Sequence, residues 1–389
     1  MDLILTRFLY SKDEVELSLI TALLKHEELE IIYYWAYELY YSGFEIFNLL
    51  LQIYWDFYYE KQPYLLAYIK KKQQLWKADG DMKHVAYVLR NMYGLKATPG
   101  VFLARQFLYS DANIGPTILY KFKQMTLLET TVAWLEGYAK PYHNLLIALS
   151  RRHWENMWYY LKELVEQEGG VAVGEVLGQF LGMEGEFVGD ISIHYIIAII
   201  VRALLDMDMD MDMDMDMDMD IEKDKHVFIV PKKAHLLELI ALEEEQIPIT
   251  YNTLLHKRRV AIEDTIGSFT LARWKWTEHH DFVKEMWFHW EYYAMGSPLW
   301  LKRLSLAGGW VNHMTKKIDF LSEAEEAGFY ELYAYELDEL PKVVQDMSLK
   351  PLEKSRGDVW FNYVFGTSKS AETSASEAGA ESLWQWKHF

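Results

Sequence analysis

From Lys12 to Tyr59, apolar and aromatic side chains return every three to four residues, in runs broken near His26 and at Ser42-Gly43. That period predicts helices rather than strands. Ser11-Lys-Asp-Glu14 has the form of a capping box, so the first helix is expected to start there and run to about Lys25, with Val15, Leu19, Ala22 and Leu23 on one face. His26 to Tyr41, Phe44 to Glu60, a helix opened by Pro63 and running toward Trp76, and Met82 to Met92 follow. Trp35 and Trp55 sit inside apolar runs and are expected to anchor the core. Thr98-Pro99 starts a further helix toward Tyr109, and two longer ones are expected over Thr117 to Ala139 and Pro141 to Gln167. Short helices joined by brief turns predict an irregular antiparallel helical array, α-solenoid-like, over residues 1–168. No fixed-period repeat is present, which argues against a regular consensus array.

Beyond that array the pattern changes. Residues 169–205 form a Gly-rich connection and an apolar helix. The glycines are not a phosphate loop, because no Lys-Ser/Thr follows them. Residues 206–220 alternate strictly between Asp and Met. Closely spaced like charges oppose an isolated strand, so the tract reads as a disordered acidic linker. Residues 221–365 read as a second α-rich module of minor β content. It contains a short strand at His226 to Pro231, a helix at Ala234 to Glu244, an amphipathic helix at Trp274 to Tyr293 and an acidic, Tyr-rich helix at Asp319 to Leu340. Residues 366–389 read as a disordered tail that ends in aromatics. The fold class expected is therefore mostly α.

Composition narrows the function classes. The chain of 389 residues is 51% hydrophobic and 15% aromatic, enough to bury a large core. Net charge is −19, of which the Asp-Met tract supplies eight acids, leaving −19 + 8 = −11 elsewhere. That balance disfavours broad binding to nucleic-acid backbone or to an anionic membrane. Absence of cysteine excludes disulfides, thiolate nucleophiles and Cys-ligated metals. The opening MDLILTRFLYSKDE lacks the order of a signal peptide, and the strongest apolar run, Ile191 to Leu205, is short and interrupted by His194 and Arg202. A protein of a reducing intracellular compartment, neither secreted nor membrane-spanning, is expected.

Candidate chemistry is sparse. Asp281, Glu285 and His289 fall at i, i+4 and i+8 on one helix face and could contribute to a metal site, although a solvated face stabilised by Glu285–His289 pairing is the commoner outcome. His256, Lys257, Arg258 and Arg259, with Trp274 and Trp276 beyond, offer cations and aromatic faces that could stack on single-stranded RNA. Leu383, Trp384, Trp386 and Phe389 close a small-and-polar tether and form a candidate partner-binding element. No catalytic residue and no cofactor is assigned: Walker, Rossmann, kinase and nucleophile-elbow signatures are all missing.

Four stretches carry a resemblance. LTRFLYSKDEVELSLITALL (5–24), WAYELYYSGFE (35–45), IYWDFYYEKQP (53–63) and WFHWEYYAMGSPLWLKRLSLAGG (287–309), together about a fifth of the chain, resemble an uncharacterised protein family of nucleocytoplasmic large DNA viruses. The resemblance implies a host-cytoplasm or viral-factory setting and assigns no catalytic residue. The expected function is a non-enzymatic helical scaffold or accessory protein that binds a viral or host protein. The alternatives are an RNA-associated factor in viral translation or transcription, and an enzyme with a dispersed active site.

Overall fold

The computed structural model describes residues 4–102, 198, 228–231, 260, 262, 288–289, 291–333 and 357–365. Over these the chain is mostly helical, with one two-stranded antiparallel sheet. Numbered through the described residues, the elements are α1 (Lys12–Leu24), α2 (Leu29–Tyr41), α3 (Ile46–Phe57), α4 (Leu65–Asp79), α5 (Lys83–Tyr93), α6 (Pro298–Leu306), β1 (Gly309–Asn312), β2 (Lys317–Phe320), α7 (Glu323–Tyr333) and α8 (Gly357–Phe365). None of the described helices is long and apolar enough to cross a membrane.

The chain forms two compact units, each drawn from separated stretches. One takes residues 1–49, 71–94 and 229–389; the other takes 50–70 and 95–228. In the first unit α1 is central. Every residue from Glu14 to Leu24 is buried, so this helix is covered all round rather than on one stripe. Its polar positions survive burial because their hydroxyls bond back along the helix: Ser18 donates to the Glu14 carbonyl at 2.7 Å and Thr21 to that of Leu17 at 2.7 Å. α2 and α5 pack against it with Ile32, Ala36, Leu39, Val85, Ala86 and Leu89. α8 contributes Trp360, fully buried, whose indole N–H donates to Thr21 Oγ1 at 2.9 Å, while Lys25 Nζ lies 3.4 Å from the Tyr363 ring centroid.

Helix boundaries depart from the expected pattern in two places. His26 does not begin α2. It adopts φ +54° and ends α1, with the Glu27 N–H reaching back to the Ala22 carbonyl at 2.9 Å. Ser11 does not form its capping box either. Its hydroxyl donates to the Asp13 carboxylate, and Asp13 takes the Glu14 N–H at 3.0 Å.

The second unit holds the end of α3 and the start of α4. Tyr54 donates to the carbonyls of Gln62 and Pro63 at 3.2 and 3.0 Å, closing the turn between them. Phe57 stacks on Phe102 with centroids 5.2 Å apart, and Tyr68 on Phe228 at 4.1 Å. Trp35 and Trp55, expected to be anchors, are both buried.

Asp319 to Leu340 was expected to be one helix, but Lys317–Phe320 is a strand and the helix starts at Glu323. The cause is the Asn312 side chain. Its Oδ1 takes the N–H groups of Met314 and Thr315 at 3.0 and 3.2 Å, folding the chain into a hairpin, and its Nδ2 donates to Asp319 at 2.7 Å. Register is Gly309↔Phe320, Trp310↔Asp319, Val311↔Ile318 and Asn312↔Lys317. The first pair packs tightly: a Cβ on Gly309 would lie 2.4 Å from Leu304 Cδ1 and 2.7 Å from the Phe320 ring. Residues 228–231, expected within a strand, are irregular, and Ile229 is held by Asn91, which donates to its carbonyl and accepts its N–H at 2.9 Å each.

Candidate functional site

Three polar clusters in the first unit hold groups capable of chemistry. The first is fully buried. Arg7 lies in a short irregular segment, and Glu38 near the C-terminus of α2. Arg7 Nε donates to Glu38 Oε2 at 2.8 Å, and the Phe8 N–H to Glu38 Oε1 at 3.0 Å. The guanidinium also lies over the Phe8 and Tyr41 rings, 4.3 and 4.9 Å from their centroids. Ser42 extends the cluster, accepting the Arg7 N–H at 2.7 Å and donating to the Glu38 carbonyl at 2.6 Å.

The turn into α6 docks on the same place. The Leu299 N–H and the Ser297 hydroxyl both donate to the Ser42 carbonyl, at 3.0 and 3.2 Å, and the Trp300 indole donates to the Arg7 carbonyl at 3.2 Å. Gly43 permits this approach: its φ is +90°, and a Cβ there would lie 2.8 Å from Pro298 Cβ. Arg7, Glu38 to Gly43 and Ser297 to Trp300, from three separated parts of the chain, therefore meet in one buried knot. Its bonds tie backbone to side chain across the unit and leave its charges dry and paired. It orders the fold and offers no reacting atom to solvent.

The second cluster is Asp79 with His84, at the α4–α5 turn. Asp79 Oδ1 takes the Asp81 N–H at 2.9 Å, and its Oδ2 lies 2.9 Å from His84 Nε2. The Asp81 N–H first, and then His84, hold the Asp79 carboxyl down at about 2. This pairing orients an imidazole as a hydrolase dyad does, but His84 Nδ1 is buried with no hydrogen-bond partner among the described residues, so no nucleophile completes it there.

The third cluster centres on Glu291, which is 7% exposed, in the helical stretch before α6. Tyr330 of α7 donates to its Oε2 at 3.1 Å, while Oε1 has no hydrogen-bond partner among the described residues. Burial pushes this carboxyl up to about 7, with Glu326 adding to the rise and Tyr330 and Lys317 opposing it. Burial first, and then Glu291, raise the Tyr330 hydroxyl well above the usual tyrosine range. A carboxyl that titrates near neutrality beside a hydroxyl that stays protonated can hold or give up one proton under ordinary conditions.

Of the residues singled out from the sequence, His289 is described: its Nδ1–H donates to the Lys316 carbonyl at 2.9 Å. Asp281 and Glu285 lie outside the described residues, as do His256, Lys257, Arg258, Arg259, Trp274 and Trp276, and the tail residues Leu383, Trp384, Trp386 and Phe389. Among the described residues no group of three or more His, Asp or Glu side chains is placed to hold a metal ion. Arg7, Glu38 and Glu291 carried a signal that sequence reasoning passed over, since each is a lone charge or one of few in an apolar-aromatic run. No protein family, curated protein or solved structure matches this chain.

Proposed function

We propose that this chain is a non-enzymatic helical interaction protein, a scaffold or accessory factor of a large DNA virus acting in the host cytoplasm or viral factory. Its opening helices would extend as an irregular antiparallel, α-solenoid-like array, and its partner would be a viral or host protein. One observation supports the reading. Of ten exposed large hydrophobic side chains among the described residues, seven lie between Phe288 and Leu332. Met314, Leu321 and Leu306 are 96%, 78% and 77% exposed, and Trp310 stands on the open face of the hairpin opposite Asp319. Large apolar side chains left exposed in this part of the chain support a surface that a partner protein would cover.

The test is affinity purification of the full chain from infected cells beside a Leu306→Ser, Leu321→Ser double variant, with protein and RNA both identified. A protein recovered by the parent and lost by the variant, at unchanged melting temperature, supports the reading. Equal recovery by both chains counts against this surface. Salt-sensitive recovery of RNA in place of protein favours the RNA-associated alternative.

A further inference from the structure

Glu291 faces α7 from its own helical stretch. Tyr330 of α7 donates to it, Glu326 lies one turn earlier on the same helix, and Lys317 of β2 acts on it through its charge. The hydrogen bond from Tyr330 ties it to α7, and the Tyr330 ring centroid lies 6.3 Å from that of Phe320. Arg303 of α6 lies over Trp300 and Tyr333, 4.5 and 4.8 Å from their centroids. The carboxyl thus sits in a dry position with one oxygen bonded, the other without a hydrogen-bond partner among the described residues, and an acid on the facing helix.

We propose that Glu291 is a protonation-sensitive latch, whose neutral carboxyl holds α7 against the hairpin and whose ionised form releases it. The neutral form fits the site because an uncharged carboxyl tolerates burial; the Tyr330 hydrogen bond favours the carboxylate, and burial outweighs it. The ionised form places a bare charge in the same dry position, near the negative Glu326, with Lys317 at the exposed rim as partial compensation. The sign follows. The folded carboxyl sits at about 7 against its ordinary 4.5, so the stability it contributes is complete below 4.5 and is lost as pH rises through 7. The difference of about 2.5 decades sets a ceiling of about 300-fold on the opening equilibrium, and about 30-fold of it falls between pH 5.5 and 8. The latch acts on α7 whether or not a partner binds this module.

The experiment is amide hydrogen exchange on the full-length chain from about pH 5.5 to 8, with each rate divided by the intrinsic rate at that pH. Protection of Glu323–Tyr333 is expected to fall about 10- to 30-fold as pH rises, while α1 changes little. Glu291→Gln, neutral at every pH, is expected to flatten the α7 profile. Protection that is independent of pH in the parent chain, or an equal fall in Glu291→Gln, overturns the latch. Should that variant fail to fold, carboxyl carbon NMR titration of Glu291 in the parent chain decides. A midpoint shared with the exchange transition supports the latch, and one in the ordinary glutamate range overturns it. In Tyr330→Phe the midpoint is expected to rise, because the hydroxyl stabilises the carboxylate; a fall or no change overturns the assigned contact.

Discussion

Glu38 is fully buried and accepts two hydrogen bonds, from Arg7 Nε at 2.8 Å and from the Phe8 N–H at 3.0 Å. Gln carries no charge and only one acceptor oxygen, so Glu38→Gln is expected to lower stability by about 1.5–3 kcal/mol, read from the denaturant midpoint at constant slope. Tyr37 makes the opposite case. Its hydroxyl is buried with no hydrogen-bond partner among the described residues, and burial raises it far above the ordinary tyrosine range. Deleting an unsatisfied hydroxyl removes a desolvation penalty, so Tyr37→Phe is expected to leave the midpoint unchanged or raise it. A loss above about 1 kcal/mol would mean that the hydroxyl is bonded. The same scale shows where a local sequence rule decides wrongly. Ser11-x-x-Glu14 and Ser322-x-x-Glu325 are equal as motifs, yet only at Ser322 does the hydroxyl accept the Glu325 N–H, at 3.3 Å. The residue two after the serine differs. Asp13 competes for both the hydroxyl and the N–H, whereas Ala324 cannot.

Helices α1 to α5 were legible because apolar period and turn residues agree along that stretch. Their junctions are tighter than the pattern conveys. α2 ends with the Gly43 N–H bonded to the Tyr40 carbonyl at 2.9 Å and the Phe44 N–H to that of Leu39 at 3.1 Å, which requires a left-handed residue at position 43. Gly43→Ala brings the backbone cost of that conformation together with a Cβ 2.8 Å from Pro298, and is expected to destabilise by about 2–4 kcal/mol in thermal melts. A change of less than 1 kcal/mol, on the order of one lost hydrogen bond, would show that the α6 turn can retreat freely. The hairpin was not legible. Lys317 to Phe320 buries Ile318 beside an exposed Lys317, but the acidic residues that follow extend a helical pattern backward over it, and the deciding contact comes from Asn312. Side-chain-nucleated turns of this kind leave no trace in apolar periodicity.

At the scale of the molecule, the core of the first unit is built from residues far apart in the chain. Trp300, Ser297 and Trp360, all buried, close around α1 and the end of α2. A fragment of residues 1–168 retains five described helices but loses these covering side chains, so it is expected to melt without a cooperative transition in circular dichroism and to bind a hydrophobic dye. A sharp, two-state transition would show that the opening helices fold alone. The candidate site divides in the same way. The lone charges Arg7, Glu38 and Glu291 could be noticed in the sequence, whereas their pairing could not, since it depends on which distant elements meet.

The bond from the Trp300 indole to the Arg7 carbonyl spans 293 residues. A ribosome working at about 5–20 residues per second completes that interval in about 15–60 s. Throughout this time the nascent chain exposes Arg7, Ser42 and the flank of α2 without the strap that later seals them. The order of synthesis thus places the last-made part of the knot after both α1 and α2, which must wait for Trp300 before their cover is complete.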